Sequence, residues 1–356
     1  MKAPFLGGGP KGTPMTRRRL TVSACIVFAA VASLTACSPS APPGAAATGQ
    51  AGTADANGVH RTSWGEPNLE GLYTNKDEFG TPFERPNDLA GPRSEYGPEK
   101  MAELMKDRTA RGKAVAASIG GSAENDTGAG PPHWYEYLDA INGRPWFVSE
   151  PADGKIPALT EEGKARAQAA RTRFAKSDAP DTYTDLGLYQ RCITIGLPGS
   201  MMPMIYGNAY SITQSPGVVA IRYEMVHETR VIPTDGSAHL GKTIGSYMGD
   251  ARGHWDGDTL VVETTNIREA SAYRNASPSL KITERFKPVD ADTISWTVRF
   301  EDPATWTGPW AIEMPLKRKA DAAPFEYACH EGNRGLQDIL SAARAADRNA
   351  SDAPKR

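Results

Sequence analysis

The chain has 356 residues, a net charge of −2, 39% apolar residues and only six histidines. That balance excludes a basic nucleic-acid binder and a long charged tail, and it fits an ordinary globular protein. Frequent Gly (35) and Pro (28) argue for many turns and against a helical bundle.

The N-terminal residues read as an export signal. Arg17, Arg18 and Arg19 form a cationic start, followed by the apolar run Leu20–Ala36 and then Cys37. The run is short for a bilayer span and has no charged far flank. Leu34-Thr35-Ala36-Cys37 resembles the lipobox of bacterial lipoproteins, whose cysteine is acylated and becomes the mature N-terminus. That resemblance implies a signal peptide over 1–37 and a lipid anchor on Cys37. Several acyl chains give the stable membrane attachment that one does not. Met15 is an alternative start, and Thr16–Leu20 also resembles a twin-arginine signal. Ser38 after the cysteine favours the outer membrane, with the domain on its periplasmic side. Residues 38–58 are small, polar and free of aromatics, as in a flexible tether.

With Cys25 inside the signal and Cys37 lipidated, Cys192 and Cys329 remain as an even pair for an oxidising compartment. A bridge between them closes a loop of about 138 residues, worth up to roughly 5 kcal/mol. Two free buried thiols, or a catalytic cysteine, are the alternatives.

Residues 59–205 read as irregular and partly helical. Pro98 with Glu99 starts a helix over Glu99–Ala116, and Thr160 before Glu161 and Glu162 opens another over Glu161–Lys176. Between them lie a Gly-rich loop, Gly120–Gly130, and the aromatic cluster His133–Tyr137.

The pattern changes to period two from Tyr206, and residues 206–348 read as the β domain. Expected strands are Tyr210–Gln214, Val218–Tyr223, His227–Ile232, Arg252–Trp255, Asp258–Thr265, Leu280–Phe286, Thr293–Phe300, Ala311–Leu316 and Phe325–Cys329. Asp256-Gly257 predicts a type I′ hairpin turn. Asn333 caps a short final helix with Leu336, Ile339, Leu340 and Ala343 on one face. Consecutive antiparallel strands with short turns predict a mainly β fold: an up-and-down barrel or strongly curled sheet, lipocalin-like, with a ligand cavity inside. A two-sheet sandwich is the alternative.

Alternation then sorts the polar groups. Asp250, Arg252 and His254 share one face of a strand, with Ala251 and Gly253 on the other. The charged face points either into a cavity or to solvent. On His227–Ile232, His227 falls with Tyr223 and Met225, whereas Glu228 falls with Glu224 and Arg230. Phe325–Asn333 is dense in functional groups, and a disulfide at Cys329 would fix His330 and Glu331 nearby. The HExxH, EF-hand and Gly-x-Ser-x-Gly patterns are absent, so no metal, cofactor or serine nucleophile is expected. Glu228, Asp250, Glu263 and Glu284 all lie on expected strands, and nothing selects a catalytic pair among them.

The stretches Met225–Pro233, Gly249–Trp255, Glu284–Phe286 and Tyr327–Asn333 resemble a family of secreted bacterial (lipo)proteins whose function is unknown. The resemblance runs from Tyr210 to Asn333. It implies a β-rich secreted fold and brings no activity.

Two main functions follow from the residues. One is a binding module for a small organic or carbohydrate ligand, with Arg230, Arg252, Glu228 and His330 as contacts. The other is a cofactor-free acid/base enzyme, a hydrolase, lyase or isomerase. There His227 or His254 carries the proton, Arg230 or Arg252 holds an anionic group, and Asp250 orients a histidine. A purely structural role in the envelope is the third reading.

Overall fold

The period-two pattern folds as expected into antiparallel strands joined by short turns. The computed structural model describes residues 59–119, 143–176, 179–319 and 325–352. The signal, the tether and the run from Gly120 through the His133–Tyr137 cluster lie outside the described residues. Ten strands form one sheet: β1 Gly71–Thr74, β2 Val148–Glu150, β3 Ala209–Ser215, β4 Val218–Tyr223, β5 Thr229–Pro233, β6 Asp250–Asp256, β7 Thr259–Thr265, β8 Lys281–Asp290, β9 Thr293–Glu301 and β10 Trp310–Arg318. Their order is β5-β4-β3-β1-β10-β9-β8-β7-β6, and β2 adds to β10 beside β1. The helices are α1 Pro98–Ile119, α2 Glu161–Lys176 and α3 Arg334–Asp352. The Thr160 hydroxyl caps α2 by accepting from the Gly163 amide at 3.0 Å, and the Asn333 side chain caps α3 by accepting from Leu336 at 3.2 Å.

The sheet curls into a nearly closed barrel, and one glycine explains how its ends meet. A Cβ on Gly253 of β6 would stand 2.9 Å from Thr234 Cγ2 and 3.0 Å from Ile232 Cγ2, both at the β5 edge. Only glycine lets β6 come this close to β5. The β6–β7 turn falls one residue later than Asp256-Gly257, because Asp256 pairs with Thr259 and leaves Gly257-Asp258 as the loop. Gly257 has φ +57° and Asp258 is not in the positive-φ region, the sign pattern of a type II′ turn rather than the expected I′.

Two expected strands differ. Met225–His227 is a tight 3-10 turn, with Val226 at φ +60° and His227 at φ +41°, so β5 begins only at Thr229. This turn breaks the alternation and places Arg230 inward, on the same side as Tyr223. Phe325–Cys329 is not a strand. It is held by the Cys192–Cys329 disulfide (Cα–Cα 5.7 Å) and by Tyr327, whose hydroxyl lies 3.2 Å from that of Tyr189. The 59–205 segment, for its part, supplies β1 and β2 to the sheet, and β1 joins the two meanders by pairing with both β3 and β10.

The barrel interior is filled with side chains. Tyr73, Tyr210, Tyr223, Phe286, Trp296 and Phe300 are all buried there, with Ile212, Ile221, Val262, Ile282, Ile312 and Met314 between them. Among them lies one ion pair. Arg230 Nη2 donates to Glu284 Oε1 at 3.1 Å and Nη1 to Oε2, and Trp296 Nε1 adds a third bond to Oε1 at 3.1 Å. Glu284 is fully buried. Its carboxylate holds the Arg230 guanidinium charged against desolvation, and burial pushes the neighbouring Tyr223 hydroxyl upward. Arg230 Nε and the Tyr223 hydroxyl have no hydrogen-bond partner among the described residues.

Removing one member strands the other's charge in an apolar interior. Glu284→Leu should therefore cost about 3–5 kcal/mol, while Arg230→Met with Glu284→Leu should recover most of that loss. Urea unfolding checks this; a double variant as unstable as the two single losses added would contradict it.

Candidate functional site

The sheet has a gap on one side of β10. That edge pairs with β2 at Ala311 and Ile312, continues through the Glu313 amide to the Phe147 carbonyl at 3.1 Å, and pairs with β1 only at Lys317 and Arg318, which leaves Met314–Leu316 without a strand partner there among the described residues. Asn75, directly after β1, closes the gap. Its Nδ2 donates to the Met201 carbonyl at 2.6 Å and approaches Met314 Sδ at 3.3 Å. Outside it opens a cleft of about 770 Å³, lined by Asn75, Glu78, Arg93, Tyr96, Arg144, Glu313 and the β8–β9 turn, among others.

Local sequence sets each group. Asn75 leads into a 3-10 turn, Lys76–Glu78, which turns Glu78 inward to 4% exposure. Arg144 is positioned from α1: Arg108 Nη2 donates to the Pro145 carbonyl at 2.6 Å, and Nη1 donates to that of Arg144. Glu313 stands on the outward face of β10, between the buried Ile312 and Met314. Arg144 Nη1 lies 3.4 Å from Glu313 Oε1, and Arg93 Nη2 lies 3.5 Å from Oε2. Arg144 Nε is 3.9 Å from Glu78 Oε1, too long for a hydrogen bond.

The two carboxylates are therefore unequal. Glu313 is paired twice and accepts a further bond from the Ser295 hydroxyl at 3.2 Å. Glu78 has one bond, from the Thr81 hydroxyl at 3.2 Å, and burial pushes its carboxyl above the usual range despite Arg144. A buried carboxyl with a raised titration, in a cleft that also holds an ion-paired carboxylate, is suited to acid/base work. Two buried polar atoms here also lack hydrogen-bond partners among the described residues: Asn75 Oδ1, an acceptor, and Arg144 Nε, a donor.

The residues expected from sequence lie elsewhere, and none of them lines this cleft. His254 is exposed and Arg252 half-buried on the outer face of β6, while Ala251 and Gly253 face the crowded interior. Asp250 contacts a histidine, but one other than those expected. Its Oδ2 is 2.9 Å from His239 Nδ1 and accepts from the Leu240 amide at 2.7 Å, while Oδ1 accepts from Arg252 at 2.6 Å. His239, in a loop without periodicity, gave no signal. His227 is exposed, with Nδ1 2.7 Å from the Tyr327 carbonyl. Glu228 accepts from the Thr194 hydroxyl at 2.6 Å, and burial raises its carboxyl. Arg230 is in the interior pair, and His330 is exposed beside the disulfide. Asn75, Glu78, Arg93 and Arg144 come from the segment read as irregular, where no pattern marked them. Among the described residues, no group of three or more His, Cys, Asp or Glu side chains is placed to hold a metal ion.

Comparison with known proteins returned no matching family model, no curated relative and no solved structure.

The raised Glu78 carboxyl gives a pH-dependent stability. A carboxyl raised in the folded state favours folding while protonated, and that contribution is lost as pH rises from the ordinary value of 4.5 through the folded value. Glu78→Gln should remove this loss. Thermal melts across pH should show the variant gaining on wild type as pH rises through that range; curves that stay parallel through it would contradict the prediction.

Proposed function

We propose that this is an exported, lipid-anchored protein that binds a small polyhydroxylated ligand, a carbohydrate or similar organic molecule, in the cleft over β10. The carrying observation is a pair of buried atoms with no hydrogen-bond partner among the described residues. Asn75 Oδ1 has room for a donor and Arg144 Nε for an acceptor, and both residues line one cleft. A buried polar atom left unpaired costs on the order of 1–3 kcal/mol, so a ligand that pairs both recovers that cost. Hydroxyl groups donate and accept, which fits both needs. The interior of the barrel is packed with buried aromatic and aliphatic groups, so the barrel acts as the scaffold and the cleft on its outer face as the site.

The export reading rests on Arg17–Arg19, the apolar run to Ala36 and Cys37. The Cys192–Cys329 disulfide adds support, since such bonds persist in oxidising compartments. Placement at the outer membrane, facing the periplasm, and membership of the secreted family belong to the same proposal. A cofactor-free acid/base enzyme is the second reading, favoured by Glu78. In it, the raised carboxyl gives or takes the proton beside Glu313, which is paired with Arg93 and Arg144.

Two experiments test this. Cys37→Ser should move the protein from the membrane to the soluble or unprocessed fraction, and unchanged membrane fractionation would contradict the anchor. In a thermal-shift screen of mono- and disaccharides, at least one sugar should raise the Tm of wild type but not of Arg144→Gln, while His254→Ala should respond like wild type. A sugar response retained in Arg144→Gln would place the site elsewhere. Turnover of that sugar, lost in Glu78→Gln with binding retained, would select the enzyme.

A further inference from the structure

A second groove lies away from this cleft, beneath α2. It has a volume of about 1010 Å³ and is lined by α2, the 184–191 loop, residues 156–159, residues 270–275 and Trp306. Ala167, Ala170, Arg171 and Phe174 fall at helical spacing on one face of α2, and all four line it. The helix is fixed at its first turns, where Arg166 Nη2 donates to the Ala304 carbonyl and to the Thr305 hydroxyl, each at 2.7 Å. Its last turns overhang the groove and leave Phe174 71% exposed.

The lining is divided by chemistry. Ile156, Leu159, Phe174, Leu186 and Trp306 supply the apolar part. Arg171, Arg173, Arg191 and Arg274 supply four guanidinium groups, and none of the four forms an ion pair among the described residues. The two acids in the lining are already engaged. Glu84 Oε1 accepts from the Ile156 amide at 2.6 Å, and Asp185 Oδ2 accepts from the amides of Asp181 and Thr182 at 2.9 and 3.0 Å. Two of the arginines are held over aromatic rings. Arg274 lies over Phe83 at 4.2 Å and Arg191 over Tyr183 at 5.3 Å. Arg274 also adopts φ +53°, a conformation costly for a residue with a Cβ.

We propose that this groove is a binding site for an amphipathic organic anion: a carboxylate or sulfonate head on an aromatic or aliphatic body. An apolar surface of this kind beside exposed aromatic residues marks a binding surface in a soluble domain. Guanidinium groups free of carboxylate partners favour a planar acidic head, which they engage in a two-pronged fashion. A neutral apolar ligand would leave those charges desolvated, and a bare inorganic anion would leave the apolar part wet. This site shares no residue with the cleft over β10, so either proposal stands without the other.

The mature domain, titrated with anilinonaphthalene sulfonate, its neutral relative N-phenyl-1-naphthylamine, dodecanoate below its micelle limit and inorganic sulfate, tests it. The sulfonate dye should bind saturably and be displaced by dodecanoate, with the neutral dye weaker and sulfate ineffective. Arg171→Glu with Arg173→Glu should weaken the sulfonate dye about tenfold while leaving the neutral dye unchanged. Ala170→Trp, which fills the groove, should reduce both. Both arginines are exposed on α2, and the Tm reports folding; should it fall, Arg171→Gln with Arg173→Gln should show a smaller loss in the same direction. Equal binding of the two dyes, displacement by sulfate, or full sulfonate binding in the charge variants would overturn the proposal.

Discussion

Inside this barrel one guanidinium and one carboxylate are buried together, and their neighbours are arranged around that fact. Arg230 and Glu284 sit on β5 and β8, on opposite flanks of the closing seam, and Trp296 of β9 completes the acceptor shell of Glu284. Neither charge tolerates the interior alone, because desolvation would cost several kcal/mol per ion. Each therefore requires the other's strand to be in place, and the requirement acts across a seam where β5 and β6 meet through Gly253. Apolar burial supplies most of the driving force for the domain. What the ion pair adds is specificity, because a shift of β5 by one residue would turn Arg230 outward and leave Glu284 unpaired.

Filling the interior moves the chemistry outside. With Tyr73, Tyr210, Tyr223, Phe286 and Trp296 meeting at the centre, polar chemistry goes to places where the sheet is interrupted. The interruption lies along β10, between its short pairings with β1 and β2. Asn75 sits in that gap, and Glu78, Arg93, Arg144 and Glu313 are gathered above it. The cleft is thus a consequence of topology: two short strands share one edge of a long one and do not meet.

Much of the β domain was legible because alternation survives wherever strands are long. β7, β8 and β9 follow the expected hairpins, the caps of α2 and α3 are the residues expected, and the cysteine pair is bridged. What the sequence hid had identifiable causes. The left-handed residues Val226 and His227 interrupted the period, so Arg230 was assigned to the wrong face. Tyr327 and Cys329 looked strand-like because β-prone residues alternate there, yet a disulfide and a tyrosine contact hold that segment. β1 and β2 have four and three residues, too few for periodicity to mark. The cleft residues follow the same rule. Glu78 and Arg144 lie in turns, where function depends on tertiary placement and not on spacing. Asp250, read as a residue that orients a histidine, contacts His239, eleven residues earlier, and neither His227 nor His254.

The central claim is that the barrel is a solid scaffold and the cleft over β10 is the site. Crystals of the mature domain soaked with a mixture of small polar and sugar-like fragments would test it most directly. The account predicts fragment density between Asn75, Arg144 and Glu313, with the side chains around Trp296 undisturbed. Fragment density inside the barrel, between Tyr223 and Trp296, with the outer cleft empty, would contradict it.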